Sequence, residues 1–134
     1  MTSEKAAALG LQPLARVHTA VVTGDDPILS LTALIPATHK ALQCSGLSLA
    51  DVGTFEVSEA FSSVPLAWLA EIGAEEGLVN PDGGAISLGH PLGGSGARLM
   101  TTLVHRMRRD NIRYGLQTMC EGGGMSNATV LELL

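Results

Sequence analysis

The stretch Gly115-Leu116-Gln117-Thr118-Met119-Cys120-Glu121-Gly122-Gly123-Gly124-Met125-Ser126-Asn127-Ala128-Thr129-Val130-Leu131-Glu132 holds two strand-forming runs, Gly115 to Cys120 and Ala128 to Glu132. Only a few glycine-rich residues join them. A parallel pair needs a crossover of about a dozen residues or more, so this spacing predicts an antiparallel pair. Working outward, Ser95 to Arg109 reads as a helix and Gly84 to Leu88 as a short buried strand before it. Phe61 to Ile72 is apolar too continuously for a half-exposed helix and reads as one packed on more than one side, with Pro65 in its first turn. Val52 to Val57 is a strand. A helix capped near Thr38 and running to Cys44, with Gly46 as its stop, precedes it. Leu14 to Val22 is a strand ended by the turn Thr23-Gly24-Asp25-Asp26-Pro27, and Ser3 to Leu9 is a short helix capped by Ser3. This alternation predicts one α/β domain built on a five-stranded mixed sheet with helices on both faces.

Composition supports a folded domain. The 134 residues are 46% hydrophobic and 16% charged, far from the signature of a disordered chain. Eight basic against thirteen acidic side chains leave a net charge of −5, and no long basic run occurs. That excludes the electrostatic footprint of a nucleic-acid or anionic-membrane binder. The first twenty residues lack a signal-peptide core, no apolar run approaches membrane-spanning length, and the end Leu131-Glu132-Leu133-Leu134 carries no lipidation signal. The expected location is the cytoplasm. Two cysteines, Cys44 and Cys120, are too few for a disulfide scaffold and are expected to be free thiols.

Two turns carry the chemistry. Gly83 to Arg98 reads Gly-Gly-Ala-Ile-Ser-Leu-Gly-His-Pro-Leu-Gly-Gly-Ser-Gly-Ala-Arg, with His90 held between Gly89 and Pro91 at the entry to a helix. A stiff bend gives the imidazole a fixed direction, as a general base requires; a turn histidine satisfied by backbone is the plainer alternative. The stretch lacks the Lys-Ser/Thr ending of a phosphate loop and the spacing of a dinucleotide fingerprint. Cys120-Glu121-Gly122-Gly123-Gly124 sets a thiol before three residues without side chains, which lets a substrate approach the sulfur and offers amide N–H groups to an oxyanion. The same glycines could serve only as a turn between strands. Taken together, His90 and Cys120 suit a His/Cys acid–base pair.

With these turns in this order, the sequence resembles the carboxyl-terminal half of the thiolase family. The resemblance runs from Ser3-Glu4-Lys5-Ala6 through Ile35-Pro36-Ala37-Thr38, Ser58-Glu59-Ala60-Phe61 and Gly83-Gly84-Ala85-Ile86 to Gly89-His90-Pro91-Leu92-Gly93 and Cys120-x-Gly122-Gly123-Gly124. It implies carbon–carbon bond cleavage or formation between acyl-CoA thioesters, with coenzyme A as substrate and no permanently bound cofactor. By motif, His90 would activate the nucleophile and help hold the thioester oxygen. Cys120 would move the proton at the substrate α-carbon, Gly122 N–H would contribute to a second oxyanion site, and Phe61 would line the pantetheine channel. Where the family commonly has Asn-Glu-Ala-Phe, with the Asn positioning a water for an oxyanion site, this chain has Ser58.

The resemblance also implies that the nucleophile and a CoA-binding loop region belong to an amino-terminal half outside residues 1–134. Cys44-Ser45-Gly46 superficially resembles the nucleophile's setting, but Cys44 closes a helix far from the catalytic motifs and is expected to be an ordinary buried thiol. Arg106, Arg108, Arg109 and Arg113 sit near a helix carboxyl end, where the dipole favours cations, and are expected to face solvent. His18, His39 and His105 have no metal-ligand spacing, so no metal site is expected. Apolar faces on the Ser95 helix (Ala97, Leu99, Met100, Leu103, Val104) and on the Phe61 helix predict a chain that is not a free monomer, forming a homo-oligomer or pairing with an amino-terminal thiolase half. Two functions follow: the acid–base half of a thiolase, or a non-catalytic interaction or oligomerisation module that kept the fold and lost the chemistry.

Overall fold

A computed structural model describes residues 1–134. Four strands, β1 (Ala15–Gly24), β2 (Thr54–Val57), β3 (Tyr114–Glu121) and β4 (Met125–Leu133), form one sheet in the order β1-β4-β3-β2. β3 and β4 pair antiparallel, Tyr114 opposite Glu132 and Glu121 opposite Met125, so Gly122 to Gly124 is a three-residue hairpin turn. β1 adds antiparallel on the far side of β4, and β2 pairs parallel with β3, Thr54 opposite Gly115 and Val57 opposite Thr118. The sheet is mixed, as the short glycine connection requires.

Five helices surround it: α1 (Ser3–Ala8), α2 (Leu34–Ser45), α3 (Ser63–Ile72), α4 (Gly84–Leu88) and α5 (Ser95–Asp110). Alternation along β3 sends successive side chains to opposite faces. The Thr118 hydroxyl reaches Leu34 O of α2, whereas Gln117 Nε2 donates to Gly96 O of α5 at 2.9 Å. On the first face Leu34, Ala37 and Ala41 of α2 and Val64 and Trp68 of α3 pack with Phe55, Val57, Leu116, Ala128 and Val130. On the other, Leu103 and Met107 of α5 meet Leu131. Trp68 is buried against Phe55, ring centroids 5.3 Å apart, and its Nε1–H donates to Thr38 Oγ1 at 2.8 Å. Helices on both faces are therefore present.

The sheet has four strands, not five, because Gly84 to Leu88 is the helix α4. Gly83 (φ 114°) and Gly84 (φ 57°) turn the chain through the left-handed region that glycine tolerates, which breaks any extended run. The Glu59 carboxylate then accepts the Ile86 N–H at 2.7 Å, satisfying a first-turn donor that has no partner within the helix. A side chain on Gly84 would stand 2.5 Å from Glu59 Oε2. Ile86 and Leu88 are exposed, so the apolar letters did not mark a buried strand.

Smaller corrections come from hydrogen bonding and packing that composition does not specify. Thr2, not Ser3, caps α1, accepting Lys5 N–H at 3.2 Å. α2 begins four residues before Thr38, which sits inside the helix and donates to Leu34 O at 2.7 Å. Cys44 is exposed rather than buried, since the inward stripe of α2, Leu34, Ala37, Thr38 and Ala41, ends before it. Of the apolar face expected on α5, Leu99 and Leu103 are buried, Met100 and Val104 are half-buried and Ala97 is exposed. Between residues 61 and 92, Phe61, Leu66, Ile86, Leu88 and Leu92 are also exposed.

Candidate active site

Parallel strands in open α/β sheets present ligand sites beyond their carboxyl ends. β2 and β3 are the parallel pair here, and both candidate turns lie at that end. Ser58 follows β2, its N–H donating to Thr118 O of β3 at 2.9 Å, and Cys120 lies two residues beyond Thr118. The structure brings these two together: Cys120 Sγ is 3.4 Å from Ser58 Oγ. Ser58 is fully buried, whereas Cys120 is partly exposed. Past Cys120, Gly122 and Gly123 are exposed, and no atom lies within 4 Å of the place a side chain would occupy on either. Approach to the sulfur is therefore open on the side of the hairpin turn.

α5 enters β3 through a short link at its carboxyl end, so its amino end, where Gln117 of β3 holds Gly96 O, carries the second turn. His90 is exposed between α4 and α5. Its Nδ1 is 2.7 Å from Ser95 Oγ, and the same hydroxyl donates to Pro91 O at 2.9 Å. A serine has one proton to give. With that proton on Pro91 O, His90 Nδ1–H donates to Ser95 and Nε2 keeps its lone pair, the form a general base needs. Arg98 Nη1 donates to Gly89 O at 2.9 Å and Nη2 to Leu88 O, fixing the backbone that leads into His90. No hydrogen bond joins the His90–Ser95 pair to the Cys120–Ser58 pair.

Asn80 supports the Ser58 side. It sits in the left-handed region (φ 48°), and its amide continues the edge of β2, Oδ1 accepting Val57 N–H at 2.7 Å and Nδ2 donating to Val57 O at 2.9 Å. The same Nδ2 reaches Glu59 Oε1 at 2.7 Å, while the other oxygen of Glu59 holds Ile86 N–H. Asn80 and Glu59 thus tie the Ser58 strand end to α4 and so to the His90 turn. Ser95, Arg98, Asn80 and Glu59 all escaped sequence reasoning as functional residues. Their partners lie five to twenty-seven residues away, and no local pattern encodes them.

Phe61 is 65% exposed and, with Leu66 at 61% and Leu92 at 95%, gives this end an apolar surface. Behind the site, Glu56 is buried on β2 with Oε2 unpartnered. Burial pushes its carboxyl up to about 7, Asp82 and Glu59 add to the rise, and Arg106 opposes it. The expected solvent-facing arginines divide. Arg109 and Arg113 are exposed and pair with Asp82 at 3.0 Å and Glu132 at 3.0 Å, but Arg106 is mostly covered and joins Asp82 at 3.6 Å and Asp110 at 3.2 Å. No group of three His, Cys, Asp or Glu side chains converges to hold a metal ion, and no helix is long and apolar enough to cross a membrane.

Comparison with known proteins places this geometry in a family. The family model "Thiolase, C-terminal domain" matches residues 11–133. The chain is 53% identical over 125 residues to the steroid 3-ketoacyl-CoA thiolase FadA6 of Mycobacterium tuberculosis, covering 93% of this chain and 31% of that protein. It is 47% identical over 137 residues to a 3-ketoacyl-CoA thiolase of Yersinia pestis, covering 100% of this chain and 35% of the relative. The crystal structure of the Bacillus anthracis acetyl-CoA acetyltransferase superposes with a TM-score of 0.97 at 38% identity, covering 100% of this chain and 34% of that one. The chain thus spans about a third of the length of these relatives. Matched along nearly all of residues 1–134 in sequence and in fold, the chain belongs to the thiolase family, as its carboxyl-terminal domain.

Proposed function

We propose that this protein acts as a thiolase-type acyltransferase in the cytoplasm, cleaving 3-ketoacyl-CoA with coenzyme A or condensing acyl-CoA units, and that residues 1–134 supply its acid–base half. The observation that carries the reading is Cys120 at the carboxyl end of β3, partly exposed before a glycine turn that has empty side-chain space at Gly122 and Gly123. A thiol kept only for packing has no use for that opening. In this reading the nucleophile's thiol gives its proton to His90 and takes the acyl group of one acyl-CoA, whose CoA leaves with the Cys120 proton. The Cys120 thiolate then takes the α-proton of a second acyl-CoA, and the released C–H electron pair forms the new bond to the enzyme-held acyl carbon. The bond from that carbon to the nucleophile's sulfur breaks, and the departing thiolate accepts a proton from His90. Thiolysis reverses each step.

His90 suits its part because the Ser95 and Pro91 contacts leave Nε2 as the free nitrogen. Gly122 N–H and a water held near Ser58 stabilise the oxyanions, while Phe61, exposed at the same end, lines the pantetheine channel. The nucleophile comes from an amino-terminal thiolase half, on the same polypeptide or on another, and Phe61, Leu66, Ile86 and Leu92 are the apolar surface for that half or for a second copy. Coenzyme A enters as substrate, without a resident cofactor.

The test is turnover of acetoacetyl-CoA by the assembled enzyme carrying His90→Ala or Cys120→Ala. Each is expected to abolish thiolysis while the circular dichroism spectrum is retained. Unchanged turnover in both variants would remove these residues from the mechanism and leave a non-catalytic interaction module.

A further inference from the structure

Ser58 is fully buried, and its hydroxyl has one hydrogen-bond partner, the Cys120 sulfur at 3.4 Å. Its backbone position is fixed on both sides. Ser58 N–H is held by Thr118 O at 2.9 Å, and the preceding residue is gripped by both ends of the Asn80 amide. A serine hydroxyl carries one donor and two acceptor lone pairs, and it rotates freely about its C–O bond. Toward a neutral thiol it accepts the S–H; toward a thiolate it turns and donates its own proton. A bond to the ionised partner is roughly twice as strong as one between neutral groups.

We propose that Ser58 is a positioning residue for Cys120, its hydroxyl donating to the thiolate and accepting from the thiol, so that the sulfur keeps one location through both protonation states. No proton leaves Ser58 in either state. The proton that Cys120 gains or loses comes from or goes to substrate, and only the direction of the Oγ···Sγ hydrogen bond reverses. The purpose of this arrangement rests on the acid–base reading of Cys120, but its existence is testable without turnover.

Because the donated bond favours the reactive, ionised sulfur, Ser58→Ala should slow alkylation of Cys120 by iodoacetamide near neutral pH, by about threefold to tenfold. At about pH 10, where thiols ionise without help, the variant should react no more slowly than the parent, since a thiolate freed of a donated bond is the stronger nucleophile. Peptide-resolved mass spectrometry of the native protein follows each thiol separately, and the exposed Cys44 serves as the internal reference that should not change. Ser58→Thr, which retains a hydroxyl, should restore most of the neutral-pH rate.

An equal slowing at both pH values would mean that the substitution merely closed access to the sulfur, and it would overturn the proposal. So would no slowing at either pH. Full turnover by Cys120→Ala enzyme would remove the catalytic reading without altering the alkylation result, so the two ideas fail separately.

Discussion

Replacing Glu56 by Gln exchanges a buried carboxyl for a neutral group of nearly the same shape. In the folded chain burial raises this carboxyl to about 7 from its ordinary 4.5, with Asp82 and Glu59 adding to the rise. Between those values the folded chain keeps a proton that the unfolded chain has released. The stability Glu56 contributes is therefore full below about pH 4.5 and is lost as pH rises through about 7. The interval corresponds to roughly 3 kcal/mol, at ~1.4 kcal/mol per pH unit. Glu56→Gln and the parent should have nearly equal stability at about pH 4, and the variant should be more stable by about 2–3 kcal/mol at about pH 8.

Urea unfolding reads this difference directly, because Trp68 is the single tryptophan and is fully buried, so its fluorescence reports loss of the core. With a slope of ~2 kcal/mol per molar urea for a chain of this size, the midpoints should separate by about 1–1.5 M at about pH 8 and nearly coincide at about pH 4. Asp110 and Glu132 titrate with the opposite sign, since hydrogen bonds from Arg109 and Arg113 lower them, but both are common to the two proteins and cancel in the comparison. A gap of the same size at both pH values would falsify the argument, because it would show a packing effect rather than the cost of a buried charge.

Two packing predictions accompany it. Gly124→Ala places a methyl 2.6 Å from Asp25 O and 3.0 Å from Asp26 O at a residue with φ 79°, so the hairpin cannot keep its register without backbone movement; a loss of about 2 kcal/mol or more is expected in the same urea titration, and an unchanged midpoint would refute it. Trp68→Phe removes the donor to Thr38 Oγ1 and leaves a void between α2 and α3, for an expected loss of about 1–3 kcal/mol by thermal unfolding, whereas full retention of stability would show that the pocket closes around the smaller ring.

Much of this protein was legible from residue order. The antiparallel β3–β4 pair follows from a connection too short for anything else, and Gly46 ends α2 where a left-handed stop was expected. His90 and Cys120 stand out as a pair, a histidine between glycine and proline and a thiol before three glycines, and the family resemblance rests on those same letters. Gly84 to Leu88 was misread because five residues of mixed apolar character fit a short strand as well as a helical turn, and periodicity cannot separate them. The deciding contact, Glu59 to Ile86 N–H, spans twenty-seven residues.

That contrast holds for the site as a whole. Residue identity determined which groups could do chemistry, since reactivity belongs to the side chain and the need for glycine belongs to the local backbone. Only the tertiary structure decided how those groups are held: Ser58 against Cys120 across sixty-two positions, Ser95 against His90, Asn80 tying the end of β2 to Glu59, and Glu56 buried without a full set of partners. Hydrogen bonds and desolvation depend on distances of a few ångströms between residues remote in the chain, and those distances exist only once the sheet has brought the carboxyl ends of β2 and β3 together.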